Sequence, residues 1–301
     1  MTDNNLENEL RPAIAILGLG PMGQALAAAA IAGGHPTVVW NRTPDKARAL
    51  VAQGAVLAPT AVDAVRAASI TVACMIDYDA VRASVADVTD WPTCTLVNLS
   101  SGHAGEARAM AGWAAQRGIG YLDGAILTPA TTIGTRAATI LYSGPRSLFD
   151  RGRTLLETFG GTSIYLGDDV GTGAAYEMAL LDLFTMAVGG LAHAFALAVA
   201  EGIELAAFAR FAKGIGGLLP DMADRFADQL AAGRFPADVS SIASANSAVA
   251  HVSAAAAARG IDTAPLEAVQ RIIGRAAAAG HGGDSYARLA QFLAKADHAD
   301  A

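Results

Sequence analysis

Charge is scarce in this chain of 301 residues: Asp, Glu, Lys and Arg together make up 16%, against 53% hydrophobic residues. What charge there is leans negative, with 21 basic and 28 acidic side chains and a formal net charge of −7. Proteins that neutralise phosphates need an excess of Lys and Arg, so nucleic acid is excluded as a partner, and a polybasic membrane anchor with it. Lysine is the rarest charged residue, present only as Lys46, Lys213 and Lys295. Cysteine is nearly missing as well. Cys74 and Cys94 cannot build a disulfide framework or a multi-cysteine metal site, and neither has a second Cys or a His at ligand spacing. A reduced, cytoplasmic protein with no metal is expected. Disorder is excluded for the bulk of so apolar a chain, and its length predicts about two domains. Residues 1–10 are acidic and Asn-rich and lack the cationic and apolar blocks of a secretory signal, so residues 1–12 read as a tail.

From Ala13 onward, short β-branched runs (13–17, 37–40, 70–75, 95–99, 120–123 and 139–143) alternate with Ala-rich helical stretches (22–32, 44–53, 61–67 and 104–117). That order predicts an α/β fold, a doubly wound parallel sheet of the Rossmann type over residues 13–168. After Asp168 the β-branched runs cease and apolar residues recur at helical spacing, giving candidate helices over 173–201, 205–213, 218–232, 240–259, 265–278 and 284–295. A long interdomain helix over 169–201 and an all-α domain over 202–301 follow. The stretch Met178 to Ala200 is long enough to span a bilayer of about 30 Å. It contains Asp182 and His193, however, and no Lys or Arg cluster flanks it. An Asp near the centre of a span costs about 2.5–3.5 kcal/mol to insert. Burial between domains or subunits is therefore the expected fate of this helix.

The first run leads straight into Gly18-Leu19-Gly20-Pro21-Met22-Gly23 and then a helix. In that setting Gly18 permits the tight turn, Gly20 lets the backbone approach a pyrophosphate, Gly23 allows close helix–strand packing, and the helix start offers free N–H groups. A dinucleotide site is expected here; the bland alternative is a glycine-rich turn. About 20 residues on, where an acidic residue would bind the ribose hydroxyls of NAD, the chain instead reads Asn41-Arg42-Thr43, with Lys46 one turn later. A cation beside short polar groups suits a 2′-phosphate, so NADPH is the expected coenzyme. The competing view makes Arg42 and Lys46 ordinary solvated charges. Asn98 and Ser100, at the carboxyl end of a later strand, are expected to face the nicotinamide ribose or the substrate, while Ser101 and Gly102 read equally well as turn formers.

The glycine fingerprint, the all-α second half and the long connecting helix resemble the β-hydroxyacid dehydrogenase superfamily. Within it, Asp123-Gly124-Ala125-Ile126-Leu127-Thr128-Pro129, then Ile133-Gly134, Ile140 to Gly144, Trp40 to Thr43, Ala179 to Leu181 and Gly280-His281-Gly282 look like the imine reductases and reductive aminases. The resemblance implies NADPH-dependent hydride transfer to a C=N bond, from an imine or from a carbonyl and an amine. It also implies homodimers that exchange helical domains, each site lying between one subunit's nucleotide domain and the other's helices, with Ser244 and Asn246 as partner-chain pocket residues.

In the dehydrogenases the long helix carries a lysine acid–base group with an asparagine one turn on. Here the matching positions are Glu177 and Leu181, and no lysine lies on that helix, which undercuts hydroxyacid oxidation. In imine reductases the place generally holds Asp or Tyr, so Glu177 keeps a carboxylate with one more methylene. It can steady an iminium cation or, with its pKa raised by burial, donate a proton. The plainer reading is a helix-initial acid favoured by the dipole. Tyr176 points about 100° away around the helix, by the spacing of an α-helix, and is the alternative proton donor if the register differs; Thr185 shares the Glu177 face and is a candidate pocket residue. Asp182 reads as a helix–helix polar contact; His193, His251, His281, Trp113 and the Phe residues of the helical half read as core. Two rivals stand beside the reductase: a β-hydroxyacid dehydrogenase using another acid, and a non-catalytic NADPH-binding regulator.

Overall fold

The computed structural model describes residues 11–91 and 94–294. Eight strands form one sheet: β1 (Ile14–Leu17), β2 (Thr37–Trp40), β3 (Val56–Leu57), β4 (Ile70–Ala73), β5 (Thr95–Asn98), β6 (Gly120–Ile126), β7 (Thr139–Ser143) and β8 (Thr162–Tyr165). Their order is β3-β2-β1-β4-β5-β6-β7-β8. All neighbouring pairs are parallel except β6 and β7. The chain reverses its winding at β1, between β2 and β4, which is where an open α/β sheet leaves a crevice for a ligand.

The central strands form because their β-branched runs are covered on both faces. Every residue of β1, β4 and β5 is buried. Ile14 and Ile16 join Val72, Val97, Leu122 and Phe159 on one side of the sheet, while Ala15 and Leu17 pack with Val65 and Val85 on the other, as the two-residue period of a strand requires. Two strands escape the sequence pattern. β3 is two exposed residues, and β8 is a half-exposed strand, too short or too open to show an apolar run. β6 runs to Ile126, three residues past the predicted end, because antiparallel pairing with β7 continues from Asp123↔Ser143 to Ile126↔Ile140.

Twelve α-helices are described: α1 (Pro21–Ala32), α2 (Arg48–Val51), α3 (Ala61–Arg66), α4 (Tyr78–Ser84), α5 (Ala104–Ala115), α6 (Arg146–Phe159), α7 (Gly171–Ala200), α8 (Leu205–Gly216), α9 (Leu219–Ala232), α10 (Ile242–Ala258), α11 (Ala264–Ala276) and α12 (Leu289–Ala294). α4 and α6 lie outside the helices expected from sequence. α4 is only two turns long and is started by Asp77, whose side chain accepts from Ala80 N. α6 is amphipathic, burying Phe149, Leu155, Leu156 and Phe159.

The chain divides into two compact units, Met1–Phe184 and Thr185–Ala301, the division falling inside α7. α7 is not buried within the single chain: every residue from Leu181 to Ala192 is exposed, with Phe184 at 65% and Met186 at 70%. It is long and apolar enough to cross a membrane. Phe211 is 75% exposed, so the Phe residues of the helical half are not all core. Asp182 makes no hydrogen bond or ion pair among the described residues, and His251 is exposed. His193 is half-buried; its Nε2 lies 3.1 Å from the Asp262 carbonyl. It lines, with Thr185, Leu197, Phe208 and Val269, an apolar cavity of about 850 Å³ in the second unit. His281 is paired with Asp284 at 2.9 Å.

Candidate active site

The turn after β1 is built around close approach. Gly18 has φ +95°, and a Cβ there would fall onto the Cys74 carbonyl at the end of β4; a Cβ on Gly23 would fall onto the Gly18 carbonyl. Gly20, by contrast, faces open space, with no atom near the place of a Cβ. It caps α1 in an extended conformation with Pro21 at the first helical position and no side chain closing the end. The first helical bond runs from Gln24 N to Gly20 O, so the Met22 and Gly23 amides have no helical acceptor. Room at Gly20 and unsatisfied donors just beyond it fit the pyrophosphate of a dinucleotide. Leu19 differs from its neighbours. Its side chain is fully buried, and its N–H donates to Asn41 Oδ1 at 2.9 Å.

Asn41 thereby ties the loop after β1 to the loop after β2, and its Nδ2 donates to the Thr43 carbonyl at 2.9 Å. Its amide is therefore engaged in holding the loops. Arg42, Thr43 and Lys46 are exposed. Among the described residues the Arg42 and Lys46 side chains have no hydrogen-bond or ion-pair partner, whereas nearby Arg48 is paired with Asp45 at 3.2 Å. Two unpaired cations beside a hydroxyl fit a 2′-phosphate better than a ribose hydroxyl alone.

The second cluster gathers at the carboxyl end of β5 and the start of α7. Ser143 on β7 fixes that start: its Oγ donates to the Val170 carbonyl at 2.9 Å and accepts from Gly173 N at 3.0 Å. Two turns in, Glu177 is 9% exposed. Its Oε1 accepts from Ser101 Oγ at 2.7 Å, and it is also bonded to the Gly102 backbone. Burial pushes its carboxyl above the ordinary range, outweighing the two hydrogen bonds that pull it down. Tyr176 is 52% exposed and does not join the cluster.

Asn98 and Ser100 are turned inward instead of outward. Asn98 is fully buried; its Nδ2 donates to Tyr121 Oη at 3.3 Å and its Oδ1 accepts from Ser100 N at 3.1 Å. Ser100 Oγ accepts from Met75 N at 2.9 Å. The turn residue that reaches the carboxylate is Ser101, which sequence alone leaves undecided. Asp123 is the other residue the pattern does not single out. It is fully buried, its Oδ2 accepts from Tyr121 Oη at 2.6 Å and Tyr78 Oη at 2.8 Å, and burial lifts its carboxyl to about 7. Only its place in the motif starting at Asp123 gave it any signal. Ser244 and Asn246, on α10, are exposed, and Ser244 N is bonded to the Ser241 cap.

Known proteins share both halves. Residues 13–167 match the NAD binding domain of 6-phosphogluconate dehydrogenase, and residues 169–295 match the NADPH-dependent reductive aminase-like C-terminal domain. An NADPH-dependent reductive aminase of Aspergillus oryzae is 31% identical over 93% of this chain and 96% of its own length. An imine reductase from Myxococcus stipitatus, solved in complex with NADP+, superposes with a TM-score of 0.90 at 35% identity, covering 94% of this chain and 100% of that one. A reductive aminase from Aspergillus terreus, solved with cyclohexanone and allyl amine, gives a TM-score of 0.88 at 30% identity over 94% and 99% of the two chains. With fold, both halves and nearly the full length in agreement, the chain belongs to the imine reductase and reductive aminase family of NADPH-dependent oxidoreductases.

Proposed function

We propose that this protein reduces C=N bonds with NADPH and that Glu177 is its proton donor. The observation that carries this reading is a buried carboxyl, pushed toward its protonated form and held by Ser101 and Gly102, at the helix position where a hydroxyacid dehydrogenase would carry lysine. Bound NADPH supplies a hydride to the imine carbon. The open backbone at Gly20 and the free amides of Met22 and Gly23 take the pyrophosphate, while Arg42, Thr43 and Lys46 take the 2′-phosphate. Glu177 gives its proton to the imine nitrogen, and the carboxylate left behind faces the iminium cation it has made. The π bond of C=N is replaced by one C–H and one N–H bond, so the proton and hydride balance the product amine. Ser101 keeps the carboxyl oriented through its 2.7 Å hydrogen bond. Asn98 and Ser100 support the turn beneath it.

Substrates are imines, or a carbonyl compound together with an amine. The exposed apolar stretch of α7 supports a homodimer with exchanged helical domains, in which a second copy covers that stretch and brings its helices, including Ser244 and Asn246, to the site. Two free thiols and the net charge of −7 support a cytoplasmic enzyme.

The test follows NADPH and NADH consumption with cyclic imines, ketone and amine mixtures, and β-hydroxy acids, comparing wild type with Glu177→Ala and Glu177→Gln. Turnover of cyclic imines with NADPH, reduced roughly tenfold or more in Glu177→Ala, is expected. Unchanged turnover in Glu177→Ala refutes the assignment of Glu177. Turnover of hydroxy acids alone refutes the reaction class.

A further inference from the structure

Beneath the Ser101–Glu177 pair lies a carboxyl that proton transfer does not itself use. Asp123 is fully buried, with both tyrosine hydroxyls bonded to Oδ2, while Oδ1 has no hydrogen-bond partner among the described residues. Burying a half-satisfied carboxyl is costly, and an apolar side chain would avoid that cost. What the carboxyl does is grip two side chains that both lead to Glu177. Through Tyr121, the path runs to Asn98 Nδ2 at 3.3 Å and on from Asn98 Oδ1 to Ser100 N at 3.1 Å, one residue before Ser101. Through Tyr78, it runs by packing: the ring presses on Gly102 so closely that a Cβ at 102 would fall onto it. Ser101 and Gly102 are the two residues that hold the Glu177 carboxyl.

We propose that Asp123 is a positioning residue for the reaction, acting through Tyr121 and Tyr78 to brace the Asn98–Gly102 turn so that Glu177 is aimed for proton donation. The proposal rests on Glu177 as the proton donor. Tyr121 and Asp123 touch neither the substrate nor the coenzyme in this scheme; their effect is confined to the step that Glu177 performs.

That confinement supplies the test. A weakly basic cyclic aryl imine, neutral at pH 7, needs a proton; its N-methylated iminium salt is permanently charged and needs none. Tyr121→Phe keeps the ring and removes only the hydroxyl, and Asp123→Asn keeps the shape and removes the charge. Each is expected to lower kcat on the neutral imine roughly tenfold while leaving the iminium salt and the Kd for NADPH within about twofold of wild type, because misplacing one catalytic group slows only its own step. Placed in a Glu177→Gln background, neither is expected to add to the loss. Equal losses on both substrates, or no loss on either, overturn the proposal. The underlying reading is judged separately by Glu177→Gln alone: if that variant spares the neutral imine, Glu177 is not the donor and Asp123 has nothing to aim. Should Asp123→Asn not fold, Tyr121→Phe decides the matter.

Discussion

At the scale of single residues, two buried carboxyls behave differently from the surface acids around them, and both differences are measurable. Burial raises the pKa of Glu177, so the activity that depends on its proton is expected to decline along a limb lying above the usual carboxylate range. A kcat/KM profile on a neutral imine checks this, and the limb should vanish in Glu177→Gln. Asp123, lifted to about 7 by burial, binds its proton more tightly in the folded state than in the unfolded one. Its stabilising effect is therefore fully present below the ordinary Asp range and is lost as pH rises to about 7. A shift of this size corresponds to at most about 4 kcal/mol. Melting curves between pH 4 and 8 are expected to show a fall in Tm for wild type that is flattened in Asp123→Asn. A third residue, Arg42, tests the proposed 2′-phosphate contact. Arg42→Ala is expected to raise KM for NADPH roughly tenfold with little change for NADH; equal effects on both would remove the phosphate contact.

At the scale of elements, the glycine turn separates folding from binding. Gly23→Ala sets a Cβ against the Gly18 carbonyl, where neither backbone has room to move, and is expected to cost about 4 kcal/mol or more, enough to lose the folded unit. Gly20 has an extended conformation that alanine adopts freely and open space beside it. Gly20→Ala should keep the Tm of the free protein and weaken NADPH binding, because the added methyl stands where the pyrophosphate must approach; thermal melts with and without NADPH read both outcomes. The packing roles of Gly18 and Gly23 were legible in the sequence, since a turn needing φ > 0 and close backbone approaches leaves only glycine at fixed spacing. The central strands were legible for a similar reason, being buried on both faces. β3 and β8 were not, because exposed edge strands need no apolar run. Nor was the division of labour between Ser100 and Ser101: adjacent serines are chemically alike, and only the turn's geometry turns one toward Met75 and the other toward Glu177. Asp123 was hidden for another reason. Its partners, Tyr78 and Tyr121, stand 45 and 2 residues away and are brought together only by the sheet.

At the scale of the whole molecule, the apolar composition finds its explanation in α7. A stretch from Leu181 to Ala192 with every residue exposed, including Leu183, Phe184, Met186, Val188 and Leu191, is the kind of continuous apolar surface that marks an interaction site. A membrane would cover it, but Asp182 sits inside the stretch without a partner among the described residues, and intramembrane carboxylates are costly. The homodimer proposed above would cover it without that penalty, with Asp182 at the rim of the interface. The consequence is quantitative. Interfaces of stable dimers bury roughly 800 Å² per partner, and a charge placed in their apolar centre removes several kcal/mol of association. Leu191→Asp is therefore expected to convert a dimer into monomers in sedimentation at micromolar concentration, and to abolish imine turnover. The isolated nucleotide site should still bind NADPH, because its glycine turn and cations lie wholly within the first unit. A wild-type chain that sediments as a monomer at every concentration, with full activity, would show that the site needs no second copy and that α7 meets some other surface.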